Sequence, residues 1–403
     1  MPRPVAVFCM PDRSHVNRLR PLIAGLASRG VPVHVFTGRD FRSHVERAGG
    51  IFEDLFASGS IEDADGDSMP MPCRLVSFAG RYAGEIRDRV AALAPALVVH
   101  DTFAVVGWVV ADLLRIPRVN VCAGHNVVPS RFIAGLATDP RVRVSPRCVE
   151  AVERLQTIYG VPDASPFSYV AGVSRDLNVS CEPPEFLDEA GRRAFEPLAF
   201  YGSLPDECAG GHARQPPCVR PDGPLKVYIC FGTIVWRYYT AEAVRALSTL
   251  SDHFARDPNV HVRISLGGAA IDPEARARLT RSNVACDDFV DQWRTLADSD
   301  CFITQHGLNS THEAIFQRVP MLSYPFFWDQ PALAGRCQSL GVAIALTDAP
   351  RGALSSAHVE TAWRRFVDER GRMQAALDTA RDWELAVIAG RPAVLDRIQG
   401  LCR

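Results

Sequence analysis

Residues 302–315 read FITQHGLNSTHEAI: an apolar run typical of a buried strand, a turn with a glycine, and a segment typical of a helix. The start of a helix offers backbone N–H groups without helical partners and the positive end of the helix dipole, which suit an anion. Asn309 and Ser310 add side-chain donors, and Glu313, one turn further, can accept hydrogen bonds from a ribose diol. The segment therefore predicts a site for a nucleotide diphosphate. A plain strand–helix turn capped by Asn309 or Ser310 is the alternative.

The same alternation of strands and helices extends along the chain and indicates the fold class. We predict strands at residues 5–10, 31–36, 96–100, 118–122, 227–231, 260–266, 301–304, 321–324 and 342–346, and helices at 16–29 and 105–114. Repeated βα units form parallel sheets that are covered by helices on both faces. The expected fold is α/β, with two doubly wound Rossmann-like domains that face each other across a cleft.

Length and local composition predict the domain boundaries. The chain has 403 residues, more than one hydrophobic core usually organises. Residues 205–224 are rich in proline and glycine and are the predicted linker. This gives an N-terminal domain over 1–204 and a C-terminal domain over 225–375. Residues 376–403 are predicted to form helices that return to the N-terminal domain.

Overall composition excludes several classes of function. The net charge of −2 gives no broad attraction to nucleic acid or to an anionic membrane. We find neither a secretion signal nor an apolar run long enough to span a membrane, and expect a cytoplasmic protein. None of the 12 cysteines shows CxxC spacing, so buried thiols are expected and no metal site is predicted. Lys226 is the single lysine and lies in a strand-like run, which excludes a P-loop and makes a Schiff-base enzyme a poor fit.

A candidate general base follows the first predicted strand. His15 lies at the start of the next helix, and an imidazole with a pKa of about 6.5 can accept a proton at neutral pH. A catalytic histidine needs a carboxylate to fix its tautomer. Asp101 directly follows the strand at 96–100, so the same sheet edge can bring the two together. The alternative is that both residues only cap helices.

Two further segments follow strands of the second half. Thr233 comes after the strand at 227–231, and Asp329 and Gln330 come after the strand at 321–324. The carboxyl ends of parallel strands are where such sheets bind ligands. A hydroxyl, a carboxylate and an amide there can hold phosphate and sugar hydroxyls, although each segment alone also fits a capped turn.

Taken together, these segments resemble the nucleotide-sugar-dependent glycosyltransferases of the two-domain GT-B fold, the family of plant secondary-metabolite and bacterial macrolide enzymes. The resemblance covers most of the chain and implies that the domain at 1–204 binds the acceptor and carries the base, and that the domain at 225–375 binds the donor. Its most specific part is the segment at 309–315, with 319–321 and 329–330 downstream. Elsewhere SHVNR resembles the family's GHVNP, HDTF resembles the segment with the partner aspartate, and FVDQ resembles WVPQ, at residues 14–18, 100–103 and 289–292.

The resemblance implies an inverting hexosyltransferase in which His15 is the base and Asp101 its partner. The base deprotonates a hydroxyl of a small, natural-product acceptor, and no cofactor or metal is needed beyond a UDP-sugar or dTDP-sugar as co-substrate. A monomer or homodimer is expected. Carried over by position, the donor-binding residues are Thr233, Phe289, Val290, Gln292, Gln305, His306, Gly307, Asn309, Ser310, Glu313, Asp329 and Gln330.

Four departures from the family pattern affect this expectation. The family's phosphate-binding histidine falls on Gln305, with His306 one place later, and an amide can donate to phosphate without carrying charge. Phe289 stands where the family has a tryptophan that stacks on the base. Ser14 and Arg18 replace a glycine and a proline around His15.

The donor and the acceptor are less well determined than the reaction. A ribose-binding carboxylate at Glu313 favours a UDP-hexose over a dTDP-deoxysugar. The acceptor-binding candidates are Phe78, Tyr82, Phe103 and His125, each of which also fits an ordinary core position. Two other functions remain open: a sugar-nucleotide epimerase on the same fold, and a non-catalytic partner of an active glycosyltransferase.

Overall fold

The computed structural model describes residues 2–122, 124–205 and 223–402. The chain divides into two compact units, one made of Met1–Glu207 with Val387–Arg403 and the other of Cys208–Ala386. Most of the predicted linker at 205–224 lies outside the described residues.

The first unit alternates strands and helices along the chain. Its strands are β1 Val5–Phe8, β2 Val33–Thr37, β3 Ile51–Asp54, β4 Leu97–Asp101, β5 Arg118–Cys122, β6 Leu177–Ser180 and β7 Leu198–Phe200. Its helices are α1 Arg13–Ser28, α2 Arg42–Arg47, α3 Ile61–Ala64, α4 Cys73–Leu93, α5 Val105–Leu114, α6 Pro129–Ala137, α7 Pro146–Thr157 and α8 Glu189–Ala194. Short 3₁₀ turns occupy Arg39–Phe41, Ser168–Val170 and Pro184–Phe186.

All seven strands of this unit pair in parallel, in the order β3-β2-β1-β4-β5-β6-β7. The order reverses between β1 and β4, which is the arrangement of a doubly wound sheet. All four side chains of Val5–Phe8 are fully buried, because helices cover both faces of the sheet. The carboxyl ends of β1 and β4 lie side by side, where such sheets bind their ligands.

The second unit repeats this arrangement. Its strands are β8 Leu225–Cys230, β9 Val260–Ser265, β10 Val284–Asp287, β11 Cys301–Thr304, β12 Met321–Ser323 and β13 Ala343–Ala345. Its helices are α9 Val235–Tyr238, α10 Thr240–Phe254, α11 Pro273–Leu279, α12 Gln292–Ala297, α13 Leu308–Phe316, α14 Gln330–Ser339 and most of α15 Ser356–Gly400. The strands pair in parallel in the order β10-β9-β8-β11-β12-β13, so the reversal falls between β8 and β11.

The C-terminal segment packs with the first unit. It is the end of one continuous helix, α15, and not a set of separate helices as the sequence suggested. The guanidinium group of Arg391 donates to the carbonyls of Tyr201 (2.8 Å) and Leu204 (2.6 Å). The side chain of Leu395 lies against Gly25 in α1, which is why a larger residue than glycine would clash there. Among the described residues, no helix is both long and apolar enough to cross a membrane.

Close packing of α5 on the first sheet gives a test of this fold. A Cβ atom at Gly107 would lie 2.7 Å from Cβ of Phe8 and 2.8 Å from Cβ of His100, both fixed by the sheet. We expect Gly107→Ala to lower the free energy of unfolding by about 1–3 kcal/mol, as overpacking does. Urea denaturation followed by tryptophan fluorescence measures this. Gly135→Ala in α6 is the control, since nothing lies within 4 Å of a Cβ there. A Gly107→Ala protein as stable as the control contradicts the packing.

Candidate active site

His15 lies in the first turn of α1, directly after β1. Asp12 caps this helix and accepts hydrogen bonds from the backbone N–H of Ser14 (2.9 Å) and from its hydroxyl (2.6 Å). The cap starts the helix at Arg13, three residues before the apolar pattern alone predicted. As a result His15 is placed at the carboxyl edge of the sheet and is not itself the cap.

Asp101 ends β4 at the same edge and is buried, with 1% of its surface exposed. Its carboxylate accepts backbone N–H groups from Met10, from Phe103 (2.7 Å) and from Ala104 (3.1 Å). Burial by itself raises the pKa of this carboxyl group, but the imidazole of His15 and the backbone donors outweigh burial and hold the pKa below its usual range. Asp101 is therefore an ionised carboxylate in the interior, and it shapes the start of α5 as well as facing His15.

The imidazole of His15 faces this carboxylate. Nδ1 of His15 lies 3.5 Å from Oδ2 of Asp101, an ion-pair distance that is longer than an ordinary hydrogen bond. Such contacts are often long before substrate binds. The ring of Phe103 lies 5.2 Å from the imidazole, centroid to centroid, and fixes its other side. With a proton on Nδ1 toward Asp101, Nε2 becomes the basic nitrogen, which is the arrangement a general base requires.

The four predicted acceptor-binding residues lie in different environments. Phe103 contacts His15 and, in an edge-to-face arrangement at 5.4 Å, Tyr169. Phe78 and Tyr82 are 1% and 7% exposed and pack against each other at 5.0 Å, which is the burial of core residues. A contact of these two with an acceptor stays a prediction. His125 is paired with the buried Glu182, at 2.9 Å from Nδ1 to the carboxylate.

In the second unit, glycine turns follow three neighbouring strands, β9, β8 and β11. Gly232 has a φ of +68° and approaches the amide of Gln305, whose Nε2 would lie 2.4 Å from a Cβ there. The same Nε2 lies 2.9 Å from the position of a Cβ on Gly307. A Cβ on Gly267 would in turn meet the carbonyl oxygen of Gly232 at 2.5 Å. A side chain at Gly232 or Gly307 would therefore meet the Gln305 amide, at the reversal of the sheet.

His306 points away from this turn and into the protein. Its φ of +62° is in the left-handed region, and its side chain is fully buried. Nε2 lies 2.7 Å from the hydroxyl of Ser323, and Nδ1 lies 3.2 Å from that of Thr311. Burial lowers the pKa of this imidazole to about 3. The ring is thus neutral and supports the turn from inside the protein. Because the ring is fully buried, it cannot make the predicted contact with the donor.

The helix after the turn carries a hydrogen-bonded carboxylate. Nε2 of Gln292 donates to Oε2 of Glu313 (2.7 Å) and to the hydroxyl of Ser310 (3.0 Å). Oε1 of Gln292 accepts from the hydroxyl of Tyr228 at 3.4 Å, which orients the amide. Burial raises the pKa of Glu313 to about 7; the hydrogen bond from Gln292 opposes this increase, and the charge of Asp291 adds to it. Four of these side chains form one connected polar group at the surface of α13.

The other predicted donor-binding residues lie in the loops before α12 and after β8 and at the starts of α13 and α14. The ring of Phe289 is 57% exposed, so it is accessible for stacking, whereas Val290 beside it is 8% exposed. Thr233 is exposed after β8, and Asn309 is half-buried in the first turn of α13. Oε1 of Gln330 accepts the backbone N–H groups of Phe326 (3.0 Å) and Phe327 (3.3 Å). Gln330 thus shapes the loop before α14, and Asp329 is the half-buried residue at the start of that helix.

Three contacts of the candidate site residues were missed by sequence reasoning. They are the backbone N–H of Met10 on Asp101, the Tyr228 hydroxyl on Gln292, and Glu182 beside His125. Only Glu182 had a usable signal, a carboxylate directly after the apolar run at 177–181. Within the described ranges, no group of three or more His, Cys, Asp or Glu side chains is arranged to hold a metal ion.

The raised pKa of Glu313 predicts a stability effect that depends on pH. Because the folded state holds this proton up to a pH of about 7 and the usual glutamate value is 4.5, folding stability falls as pH rises between the two values. We expect Glu313→Gln to be more stable than wild type at pH 8, by up to about 3 kcal/mol, with little difference at pH 4.5. Thermal denaturation at both pH values measures this.

The control for this experiment is Glu274→Gln in α11, where the carboxylate is 85% exposed. We expect the control to follow wild type at both pH values. A Glu313→Gln protein whose stability relative to wild type does not change with pH contradicts the assignment.

Comparison with known proteins shows which proteins this chain resembles. The family model described as UDP-glucoronosyl and UDP-glucosyl transferase matches residues 295–377, which include the turn before α13 and Glu313. The NDP-glycosyltransferase YjiC of Bacillus subtilis is 24% identical over 85% of this chain and 84% of its own length. The oleandomycin glycosyltransferase of Streptomyces antibioticus is 24% identical over 85% of this chain and 79% of its own length.

A solved structure shows the same fold over the whole chain. The glycotransferase of kitacinnamycin matches with a TM-score of 0.71 and 21% identity, over 99% of this chain and 100% of that one. Both parallel sheets are therefore those of the GT-B fold, as the sequence predicted. The chain thus has the GT-B fold, and its sequence is similar to proteins that are named nucleotide-sugar-dependent glycosyltransferases.

Proposed function

We propose that this enzyme transfers a hexose from a UDP-hexose to a hydroxyl group of a small natural-product acceptor, with inversion at the anomeric carbon. The observation that carries the proposal is the imidazole of His15 facing the ionised, buried Asp101. A small natural product is the acceptor class that the name of the oleandomycin relative indicates. The comparisons favour neither an epimerase nor a non-catalytic partner.

In the proposed reaction, Nε2 of His15 takes the proton of the acceptor hydroxyl as its oxygen attacks the anomeric carbon. The bond from that carbon to the β-phosphate oxygen breaks, and UDP leaves from the opposite face, which inverts the configuration. Asp101 stabilises the imidazolium that forms, and stays ionised because its backbone donors remain in place. The proton leaves His15 for solvent after the product departs.

We propose that the second unit holds the donor through directional hydrogen bonds. The first turn of α13 presents backbone N–H groups to the diphosphate, and the amide of Gln305 lies between the turns at Gly232 and Gly307. These dipoles stabilise the charge that develops on the leaving group. No cofactor beyond the nucleotide sugar is part of this proposal.

The carboxylate of Glu313 is the proposed ribose ligand and the reason for preferring UDP. Its Oε2 is already bonded to Gln292, so the carboxylate is oriented before the donor binds. A ribose offers two hydroxyl donors to a carboxylate, and a deoxyribose offers one. The second hydrogen bond therefore favours UDP-sugars over dTDP-sugars.

Loss of the base should abolish turnover without affecting nucleotide binding. We expect His15→Ala to lower kcat by at least about 100-fold, as removal of a general base does. The dissociation constant of UDP should stay within about twofold of wild type, because His15 lies in the first unit. His44→Ala in α2 of the same unit serves as the control and should turn over normally. Equal turnover of the His15→Ala protein and wild type on one acceptor rules out this base.

Loss of the ribose ligand should discriminate between nucleotides. We expect Glu313→Ala to weaken UDP by about tenfold and dTDP by clearly less, since UDP loses one more hydrogen bond to a charged group. Calorimetric titration of both nucleotides into wild type and variant measures the two changes. If both nucleotides weaken by the same factor, Glu313 does not distinguish the two sugars.

A further inference from the structure

The side chain of Tyr228 lies inside the second unit and ends at the polar group of the candidate donor site. Tyr228 is 1% exposed, and its ring stacks on that of Phe302 in the neighbouring strand β11, at 4.9 Å between centroids. Its hydroxyl donates to Oε1 of Gln292 at 3.4 Å. A buried phenol usually finds a partner for its hydroxyl, and here the partner is a residue that also contacts Glu313.

The same hydroxyl lies beside side chains that support two of the glycine turns. The side chains of Cys230 and Ser265 are its other hydrogen-bonding neighbours. Sγ of Cys230 accepts the backbone N–H of Gly232 at 3.3 Å. Oγ of Ser265 accepts the backbone N–H of Gly267, also at 3.3 Å. Tyr228 is thus connected to the ends of β8 and β9 as well as to the start of α12.

The amide of Gln292 can take two orientations, and only one of them suits an ionised carboxylate. In the structure its nitrogen donates to Oε2 of Glu313 (2.7 Å) and to the hydroxyl of Ser310 (3.0 Å), while its oxygen accepts from Tyr228. The reverse orientation would point the amide oxygen at Glu313. There it would repel a carboxylate and could accept a hydrogen bond only from the protonated carboxyl group. A hydroxyl that donates to Oε1 therefore favours the orientation seen here.

The surroundings of Glu313 make this orientation important. Burial and the charge of Asp291, just before α12, raise the pKa of the carboxyl group to about 7, and the hydrogen bond from Gln292 opposes them. From β8, Tyr228 and Cys230 face Glu313 as neutral groups, because burial raises the pKa of the phenol and of the thiol. The balance between carboxylic acid and carboxylate at neutral pH therefore depends on the direction of one amide.

We propose that Tyr228 is a positioning residue of the donor site: it holds the Gln292 amide so that Glu313 is kept as the carboxylate that accepts both ribose hydroxyls. This inference rests on the proposed function, in which Glu313 binds the ribose, and adds to it the residue that sets the pH range of that contact. Glu313 is half-buried, whereas Tyr228 is fully buried against Phe302, so Tyr228 acts through Gln292 and not by contact with the nucleotide.

The test variant is Tyr228→Phe, which removes the hydroxyl and keeps the ring on Phe302. The second unit offers a matched control, Tyr324→Phe. Tyr324 is 3% exposed, and its hydroxyl donates to the carbonyl of Gly352 at 2.9 Å, a contact outside the polar group around Glu313. Both variants therefore lose one buried phenol hydroxyl, and only one of them loses a contact to the candidate site.

Two measurements follow each protein. Carbon-13 NMR of protein labelled at the glutamate carboxyl groups gives the titration of Glu313 without any ligand, and Glu313→Gln identifies its signal. Calorimetric binding of UDP-glucose and dTDP-glucose between about pH 6 and pH 9 gives the effect on the donor. Both donors are diphosphate diesters, so their phosphates stay ionised over this range and do not contribute a pH dependence of their own.

In wild type, the affinity for UDP-glucose should fall as pH drops through about 7, because a protonated Glu313 cannot accept both hydroxyls. In Tyr228→Phe we expect Glu313 to titrate at a pH about 0.5–1 higher. UDP-glucose should then bind about two- to fivefold more weakly at pH 7 and nearly as tightly as to wild type at pH 9. Binding of dTDP-glucose should change less, since its sugar has one hydroxyl fewer, and Tyr324→Phe should match wild type throughout.

A double-mutant cycle tests whether Tyr228 acts through Gln292. Gln292→Met removes the amide, so it should raise the titration of Glu313 by itself. Tyr228→Phe added to Gln292→Met should cause no further change in that titration, because the intermediary is gone. An undiminished effect of Tyr228→Phe in this background overturns the inference.

Two other results also overturn it. One is a Glu313 that titrates at the same pH in Tyr228→Phe and in wild type. The other is an equal loss of affinity for UDP-glucose at pH 7 and pH 9, which a purely structural role of the hydroxyl would give. Failure of the proposed function has a separate signature: Glu313 then titrates higher in Tyr228→Phe, which supports the positioning, while Glu313→Gln binds UDP-glucose as wild type does at every pH.

Discussion

The first unit depends on keeping one carboxylate ionised in its interior. Asp101 is almost fully buried, and an isolated charge there would cost more than the fold can supply. The cost is offset by the backbone N–H of Met10 after β1, by Phe103 and Ala104 before α5, and by the imidazole of His15. The same contacts fix the end of β1, the start of α5 and the first turn of α1. The geometry of the His15–Asp101 pair and the local fold therefore depend on one set of interactions, and a change at Asp101 affects both.

In both units the candidate site residues lie where the strand order of the parallel sheet reverses. In the first, the reversal lies between β1 and β4, and it brings together side chains that are 86 positions apart in sequence, His15 and Asp101. In the second, it lies between β8 and β11, and it brings Gly232 close to Gln305. The strands on either side of a reversal send their helices to opposite faces, which leaves an open crevice between the turns. The same feature of the topology thus positions an imidazole, His15, in the first unit and an amide, Gln305, in the second.

Most of the fold could be predicted from hydrophobic patterns, because buried parallel strands are continuous apolar runs. The helix at 105–114 and the strands at 118–122 and 301–304 have the predicted bounds. The predicted start of α1, residue 16, lies three residues after the observed start, Arg13. The capping bond of Asp12 extends the helix over polar residues that the apolar pattern does not include. The unbroken course of α15 was not predicted, since Pro392 lies inside it and proline usually ends a helix.

The proximity of His15 and Asp101 was predictable, because each residue follows a strand at the same edge of a parallel sheet. The candidate site was not predictable where the outcome depends on the direction of a side chain. The sequence cannot show that the positive φ of His306 turns its ring inward, or that Gln305 and not His306 lies between the glycine turns. The pairing of His125 with Glu182 likewise depends on the adjacency of β5 and β6, which are 55 positions apart at their nearest ends.

The directions of the Gln305 and His306 side chains also determine the charge at the candidate donor site. Gln305 carries no charge, and the buried His306 has a pKa of about 3, so neither adds a positive charge at the turns. Lys226 lies at the other end of β8 and is bound to Asp298. In the proposed function, the backbone dipoles at the start of α13 contribute to the attraction of the diphosphate, and they act only at short range and in fixed directions. Backbone dipoles select a ligand by the match of hydrogen bonds, so in the proposed function the contact of Glu313 with the ribose adds directly to the selection of the nucleotide.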